Sequence, residues 1–232
     1  LRADAVLFDK DGTLFDFDAT WVAFTEVMLA RWSAGDDGLA GRLAAALGFD
    51  RSRRAFDRSS VVIAGTPWEV AGAVAPVLDV PPAALIERLN AEAAAAPMAE
   101  AVPLAPFLET LRGLGLRLGV ATNDAEAPAR AHLAAAGVTG LFDFIAGSDS
   151  GHGGKPAPGM LLAFAAATGI APERCVMVGD STHDLHAGRA AGMQTVAVLT
   201  GLAEAEVLAP LADVVLPDIG HLPGWLGEAA VA

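Results

Sequence analysis

Short apolar runs alternate with amphipathic stretches along most of the chain. The apolar runs predict buried strands at residues 3–8, 116–121, 175–178, 194–199 and 213–216. Helical periodicity occupies residues 103–114, 125–136, 158–168 and 183–191, and a glycine follows each stretch, as is typical of helix C-termini. Apolar strands that alternate with helices predict an α/β fold, a three-layer Rossmann-like core whose parallel sheet is covered on both faces.

The segment from residue 16 to residue 100 follows a different pattern. It is rich in alanine, and its amphipathic stretches predict helices at residues 20–32, 39–47, 67–78 and 82–96. The third of these begins at a capping box, because Thr66 is followed by Pro67 and then by Glu69. We therefore predict a mostly helical domain at 16–100, inserted after the first strand of a core formed by 1–15 and 101–232.

Composition and charge exclude several classes of protein. The chain has 15 basic and 28 acidic residues and a formal net charge of −13, so we expect no general binding of nucleic acid. No apolar run has the 18 or so residues that a membrane span needs, and charged residues begin early in the chain. We expect no membrane association and a cytoplasmic protein. A single cysteine, Cys175, excludes an internal disulfide framework.

Polar side chains follow three of the predicted strands, where ligands bind in open α/β sheets. They are Asp9 and Asp11 after the first strand, Thr122 and Asn123 after the second, and Asp180 and Asp184 after the third. Carboxylates that converge need a counter-charge, and Mg²⁺ suits oxygen ligands together with a substrate phosphate. Lys155 and the hydroxyl of Thr122 would then hold an anionic group.

Four motifs resemble those of the haloacid dehalogenase-like hydrolase superfamily. The first is Leu-Phe-Asp-Lys-Asp-Gly-Thr-Leu at residues 7–14. Thr122, Lys155 with Pro156, and residues 179–184 resemble the second, third and fourth motifs, in the expected order. The resemblance covers essentially the whole chain and is greatest to members similar to phosphoglycolate phosphatase. Such members carry a helical cap after the first motif, at the place of the predicted insert.

The resemblance implies roles for the acidic residues. Asp9 would be the nucleophile that forms an aspartyl-phosphate, and Asp11 would protonate the leaving alcohol and then activate water. Asp9, the main-chain carbonyl of Asp11, and Asp180 would hold Mg²⁺. Asp184 would support the metal directly or through water. Dehalogenases and phosphonate-cleaving members lack an acid/base aspartate at the position of Asp11, so those two chemistries are not expected here.

The resemblance also assigns the phosphate site and raises a question about Lys10. Thr122, Asn123 and Lys155 would bind the phosphoryl oxygens, and Lys155 would also orient the nucleophile. Lys10 stands where the family more often has a hydrophobic residue. Successive side chains of a strand point to opposite faces, so we expect Lys10 to point away from the phosphate. It would then form an ion pair or end at an exposed tip.

Other residues of the insert are candidates for substrate contact. Arg51, Arg53, Arg54 and Arg58 form its one basic cluster, which is ordinarily a solvated face. The alternative is that one of them reaches a substrate carboxylate or a second phosphate.

Further candidates lie at the junction of core and insert and in the fourth motif. Asp16 and Asp18 would contact substrate or cap the helix that begins near residue 20. His183 would touch substrate or be solvated. Trp21 and Phe24 are interpreted as packing residues, and Asp124 is interpreted as a helix cap.

The function predicted from these residues is Mg²⁺-dependent hydrolysis of a small organic phosphate, such as 2-phosphoglycolate or a sugar phosphate. One alternative is a sugar phosphomutase of the same superfamily. The other is a phospho-receiver signalling module, which is about half as long and has no cap. The expected partner is a small phosphorylated metabolite, and the expected state is a monomer or weak dimer.

Overall fold

A parallel sheet of six strands organises the computed structural model, which describes residues 1–227. The strands of the chain are β1 (Ala5–Phe8), β2 (Phe49–Asp50), β3 (Ala55–Phe56), β4 (Arg117–Ala121), β5 (Phe144–Ala146), β6 (Cys175–Gly179), β7 (Gln194–Val198) and β8 (Val214–Leu216). The sheet has the order β5-β4-β1-β6-β7-β8, while β2 and β3 form a separate antiparallel pair. After β1 the chain forms β4 and β5 on one side of that strand, and then β6, β7 and β8 on its other side. The direction of winding therefore reverses at β1, and open α/β sheets bind ligands at such a switch point.

The helices account for most of the remaining chain. They are α1 (Phe17–Ser33), α2 (Asp37–Leu47), α3 (Val61–Ala64), α4 (Pro67–Leu78), α5 (Ala83–Ala94), α6 (Leu104–Gly113), α7 (Glu126–Ala135), α8 (Gly159–Thr168), α9 (Thr182–Ala191), α10 (Ala205–Leu208) and α11 (Leu222–Gly227). The five predicted strands and the predicted helices of the core are confirmed within two residues at each end. Gly192, with φ of 76°, ends α9 by donating to carbonyls of its last turn.

Both faces of the sheet are covered by helices. Val6 and Phe8 of β1 pack into one cluster with apolar residues of α6, α7 and α11. Ala5 and Leu7 point the other way and pack with α8 and α9. All four residues are fully buried, which explains why β1 reads as a continuous apolar run. The predicted three-layer α/β core is confirmed.

A separate hydrophobic cluster belongs to helices α1–α5, which we call the cap. Its buried members come from α1, α2, α4 and α5 and from the β2–β3 pair. The capping box at α4 forms as predicted: Thr66 N donates to Glu69 Oε2 at 2.7 Å, and Glu69 N donates to Thr66 Oγ1 at 3.4 Å. Domain boundaries at residues 16 and 100 stay a prediction.

The two connections between core and cap run side by side. Asp16 N donates to Ala99 O at 2.8 Å, and Ala101 N donates to Leu14 O at 2.9 Å. These bonds tie the start of α1 to the chain that leaves α5. The cap therefore stands over the carboxyl end of β1.

Short elements were not predicted from the sequence. The edge strand β5 has three residues, and the β2–β3 pair has two residues in each strand, too few for a periodicity to show. Across residues 1–227 no single helix is long and apolar enough to cross a membrane. Only α4 and α5 taken together meet that length and composition, and they are bent by 117° at their junction.

Candidate active site

Three adjacent strands bring the predicted site residues together. Asp9, Thr122 and Asp180 each directly follow the end of β1, β4 and β6, which are neighbours in the sheet. Main-chain hydrogen bonds fix two of these positions: Asp9 N donates to Val178 O at 2.9 Å, and Thr122 N donates to Ala146 O at 3.0 Å. The predicted convergence of motifs thus follows from the parallel topology.

A cluster of three buried carboxylates lies at this edge. Asp9, Asp180 and Asp184 each offer a carboxylate oxygen, and these oxygens lie within 4.8 Å of one another. Burial, reinforced by the neighbouring carboxylates, raises the pKa of Asp9 to about 7 and raises that of Asp180 well above its usual value. Carboxylates packed this closely are suited to hold a cation.

The donor set fits a divalent metal ion. It consists of oxygen atoms alone, which Mg²⁺ and similar hard cations prefer. The loop after β1 lies directly against it: a Cβ at Gly12 would be 2.3 Å from Asp180 Oδ2, and Gly12 has φ of 79°. Only glycine permits that approach. The side chain of Asp11 is not a member of the three-carboxylate cluster.

Lys155 joins two of the carboxylates. Its Nζ donates to Asp9 Oδ1 at 2.6 Å, to Asp184 Oδ1 at 2.6 Å and to Ala121 O at 2.7 Å. Burial opposes the charge of this ammonium, but Asp184 and Asp9 outweigh that effect and raise the pKa of Lys155. The lysine therefore stays charged and fixes the orientation of Asp9.

Asn123 holds the backbone of Lys155. Its Nδ2 donates to Lys155 O at 2.8 Å and to Ala64 O at 2.7 Å, and its Oδ1 accepts from Lys155 N at 2.7 Å. These bonds go to main-chain groups of the protein. These contacts indicate that the side chain positions Lys155 against the end of α3. Asn123 also lines the cavity, and its role in binding phosphoryl oxygens stays a prediction.

Lys10 is fully buried and forms an ion pair. Its Nζ lies 2.7 Å from Asp11 Oδ2 and 3.4 Å from Asp124 Oδ2, and the aromatic ring of Trp21 lies 5.6 Å away. The expected ion pair is confirmed, and the exposed tip is wrong. The lysine stem is long enough for the ammonium to reach the carboxylate of the next residue, so strand alternation alone did not decide its contacts.

Asp124 belongs to the same buried network. Its Oδ1 accepts from Ala125 N at 2.8 Å, but Asp149 Oδ1 is the acceptor for Glu126 N, the first N–H of α7. The interpretation of Asp124 as a simple helix cap is therefore wrong. Burial raises the pKa of Asp124, and the nearby Lys10 opposes that shift.

His132 completes this network, and sequence analysis missed it. Its Nε2 lies 2.8 Å from Ala93 O and its Nδ1 lies 3.1 Å from Lys10 Nζ. A carbonyl only accepts and an ammonium only donates, so Nε2 carries the proton and Nδ1 accepts. Burial, with the charge of Lys10, lowers the pKa of His132 to about 4. The position on α7 carries no motif that could have marked it.

A cavity between core and cap opens onto these groups. Its core side includes Asp9, Asp11, Thr122 and Lys155, together with four residues of the fourth motif, which are Asp180, Ser181, His183 and Asp184. The cap contributes side chains from α1, α3, α4 and α5. Trp21 and Phe24 pack edge to face at 5.1 Å, as expected of packing residues, and they also line this cavity.

The arginine cluster lies away from the cavity. Arg51 pairs with Asp37 at 2.7 Å, Arg53 with Asp50 at 2.7 Å and Arg54 with Glu26 at 2.6 Å, while Arg58 pairs with Glu204. All four are exposed, and none of them is among the lining residues. The cluster is thus the solvated face that such clusters ordinarily form, and a substrate contact by one of these arginines stays a prediction that the cavity lining does not favour. Their carboxylate partners on the surface explain the cluster.

Asp16 and Asp18 also lie outside the cavity lining. Asp16 is the N-cap of α1, where its Oδ1 accepts from Ala19 N at 2.8 Å. Asp18 is exposed in the first turn of the same helix. The helix-cap interpretation is therefore confirmed for Asp16. Substrate contact by Asp16 or Asp18 stays a prediction that the cavity lining does not favour.

Comparison with known proteins gives consistent results. Residues 3–192 match the family model of the haloacid dehalogenase-like hydrolases. Phosphoglycolate phosphatase of Rhodospirillum rubrum is 36% identical over 121 residues, which are 52% of this chain and 50% of that protein. Fructose-1-phosphate phosphatase YqaB of Escherichia coli is 30% identical over 203 residues, which are 85% of this chain and 97% of that protein.

A solved structure shows the same architecture. The HAD phosphatase from Thermococcus onnurineus aligns with a TM-score of 0.67 and 25% identity, over 98% of this chain and 100% of that one. The match to the first relative spans half of that protein's length, whereas the other two alignments span nearly all of theirs. The chain belongs to the haloacid dehalogenase-like hydrolase family, as a member similar to phosphoglycolate phosphatase.

Proposed function

We propose that this protein is a Mg²⁺-dependent phosphomonoester hydrolase that acts on a small organic phosphate through an aspartyl-phosphate. One observation carries the proposal. The Asp9 carboxylate lies at the carboxyl end of the central strand, 2.6 Å from the ammonium of Lys155, beside two further carboxylates and open to a cavity. A fixed nucleophile with cationic neighbours is what phosphoryl transfer needs.

Asp9 and Asp11 divide the covalent chemistry. A carboxylate oxygen of Asp9 attacks phosphorus, the P–O bond to the alcohol breaks, and Asp11 gives its proton to the departing oxygen. Asp11 then takes a proton from a water molecule that attacks phosphorus, and the phosphate leaves Asp9. Both side chains line the cavity, so both can reach one substrate.

The remaining site residues neutralise and hold the phosphoryl group. Lys155 supplies a buried positive charge, and the Thr122 hydroxyl supplies a donor beside it. A divalent cation held by Asp9, Asp180 and the main-chain carbonyl of Asp11, with Asp184 direct or through water, would supply further charge neutralisation.

The cavity favours a hydrolase over the two alternatives. A phosphomutase must hold a bisphosphate, yet within residues 1–227 no arginine or lysine of the cap lines the cavity. A receiver module has no cap, whereas this chain has one and matches the family model of the haloacid dehalogenase-like hydrolases. We further propose a small phosphorylated metabolite as partner, a cytoplasmic location and a monomer or weak dimer, in keeping with the acidic composition.

Hydrolysis of p-nitrophenyl phosphate tests the proposal. The wild-type protein is expected to release p-nitrophenol only when Mg²⁺ is present, and Asp9→Asn is expected to abolish the activity. Asp18→Asn serves as the matched control, because Asp18 is an exposed aspartate outside the cavity lining. Full activity of Asp9→Asn would overturn the proposed mechanism.

A further inference from the structure

The cap side of the cavity is apolar, and this bears on the substrate. We propose that the enzyme, if it is the hydrolase described above, prefers phosphate esters of an uncharged and largely apolar alcohol. We expect that alcohol to carry one neutral group that forms hydrogen bonds. We also propose that it discriminates against esters that carry a second anion, such as the carboxylate of 2-phosphoglycolate. The inference rests on the proposed function and names the substrate class for the same site.

The shape of the wall comes from aromatic and aliphatic side chains. The cap helices and the turns beside them line the cavity with Phe17, Trp21, Phe24, Met28, Ile63 and Leu89, among others. Pockets lined in this way bind apolar groups through the hydrophobic effect. The leaving alcohol of the substrate, which must lie on the cap side of the phosphorus, would therefore contact mostly carbon atoms.

The charges around the cavity disfavour a second anion. Lys155 is the one lysine or arginine among its lining residues in the described part of the chain, and it already contacts Asp9 and Asp184. His183 also lines the cavity, but it lies in the first turn of α9 on the core side. A carboxylate directed toward the cap would lose water without gaining a cationic partner, which is strongly unfavourable.

Three polar atoms on the cap have no hydrogen-bond partner within residues 1–227. They are Trp21 Nε1, Thr25 Oγ1 and Asn90 Oδ1; all three are buried, and their side chains line the cavity. Trp21 and Thr25 are four residues apart on α1, so they share one face of that helix. Buried polar groups are nearly always paired, and unpaired ones destabilise the fold.

These atoms match an uncharged polar group of a ligand. The indole N–H donates, the threonine hydroxyl donates or accepts, and the amide oxygen accepts. A hydroxyl group on the leaving alcohol can donate to an acceptor and accept from a donor, so it is complementary to each of these atoms. The side-chain amide of Asn123, unlike these three atoms, already forms hydrogen bonds with main-chain groups of the protein. The cap thus provides hydrogen-bonding atoms for a neutral substituent within an apolar wall.

The first experiment compares esters of similar chemical reactivity. With Mg²⁺, kcat/KM is measured for benzyl phosphate and for 2-phosphoglycolate, both esters of primary alcohols. We expect benzyl phosphate to be favoured by about tenfold to a hundredfold, the range that apolar pockets achieve. Ile63→Lys places a cation on the half-buried cavity wall and should shift the ratio toward 2-phosphoglycolate. The matched neutral variant, Ile63→Met, should not.

The second experiment tests the three polar atoms. It compares 3-(hydroxymethyl)benzyl phosphate with 3-ethylbenzyl phosphate, which differ by a hydroxyl in place of a methyl group. The wild type is expected to favour the hydroxyl compound, and the variant Thr25→Val with Asn90→Leu should lose that preference by about tenfold. An unchanged preference in the variant would contradict the assignment of these atoms.

The outcomes separate the two proposals. If p-nitrophenyl phosphate is hydrolysed but 2-phosphoglycolate has a kcat/KM equal to or above that of benzyl phosphate, the substrate-class inference is overturned and the proposed function stands. If no phosphate ester is hydrolysed in the presence of Mg²⁺, the proposed function fails and the inference fails with it.

Discussion

The ammonium of Lys10 lies 2.7 Å from the carboxylate of Asp11, and Lys10 has no exposed surface. The same ammonium lies 3.4 Å from Asp124 and 3.1 Å from His132. His132 in turn contacts Ala93 at the end of α5. The orientation of Asp11 is thereby linked to α7 and to a cap helix.

Lys10→Met is predicted to impair proton transfer more than phosphate binding. Without its partner, the Asp11 carboxylate loses the contact that fixes its position, and general acid catalysis contributes about 10²-fold or more. The value of kcat/KM should fall more for alkyl phosphates than for p-nitrophenyl phosphate, whose leaving group needs no proton. Equal losses for both substrates would contradict a role through Asp11.

A stability measurement accompanies that variant, because Lys10→Met also leaves Asp124 buried without its cation. Removing one partner of a buried ion pair destabilises a protein by about 3 kcal/mol or more. Adding Asp124→Asn should restore part of the free energy of unfolding, as measured with urea. If the changes in the free energy of unfolding caused by Lys10→Met and by Asp124→Asn simply add in the double variant, the two residues are not coupled.

The stability of the fold is predicted to depend on His132 below pH 7. The folded-state pKa of about 4 lies below the ordinary value of 6.5, so the unfolded chain takes up the proton first as pH falls. The contribution of the neutral, buried His132 to the free energy of unfolding is therefore complete above pH 6.5 and is lost as the pH falls from 6.5 to 4. His132→Gln keeps a donor and an acceptor but does not titrate. Relative to that variant, the wild type should lose about 2 kcal/mol between pH 7 and 5. A constant difference would contradict the buried neutral histidine.

Asn123→Ala is predicted to reduce activity through Lys155. The substitution removes three hydrogen bonds, two of which hold the backbone of Lys155. We expect a loss of about 2 kcal/mol in the free energy of unfolding, because buried main-chain groups lose partners. We also expect a fall in kcat, because the ammonium that orients Asp9 shifts. Unchanged stability and kcat would show that the amide does not position the lysine.

Mg²⁺ is predicted to raise the melting temperature of the protein. A cation that binds the folded state relieves the repulsion among Asp9, Asp180 and Asp184, and a ligand at about 100 times its Kd stabilises by about 2.7 kcal/mol. Asp180→Asn should remove most of the shift, whereas the exposed control Asp18→Asn should keep it. Differential scanning fluorimetry with and without chelator measures both. An equal shift in Asp180→Asn would place the cation elsewhere.

Much of the core was predictable because its elements are long and strongly patterned. The runs that became β1, β4 and β6 are predominantly apolar and end at polar residues, so parallel topology alone brought Asp9, Thr122 and Asp180 together. The capping box at Thr66 likewise specified a helix start. Local signals of this kind do not depend on distant parts of the chain.

The contacts of Lys10 and the cap could not be predicted in the same way. His132 lies 122 positions from Lys10 in the sequence, and their contact depends on how α7 packs against α5 and the sheet edge at β5. The sequence left a substrate contact of the arginine cluster open beside a solvated face, because the orientation of these side chains depends on acidic partners in other elements, such as Glu26 and Glu204. Tertiary packing decides these contacts.

Covalent trapping on Asp9 tests the central claim most directly. The enzyme is mixed with Mg²⁺ and p-nitrophenyl phosphate and then treated with borohydride, which reduces an aspartyl-phosphate to homoserine. Peptide mass spectrometry should locate homoserine at position 9 in the wild type, and Asp9→Asn should yield none. Reduction at Asp11 instead, or turnover without any trapped aspartate, would contradict the assignment of Asp9 as the nucleophile.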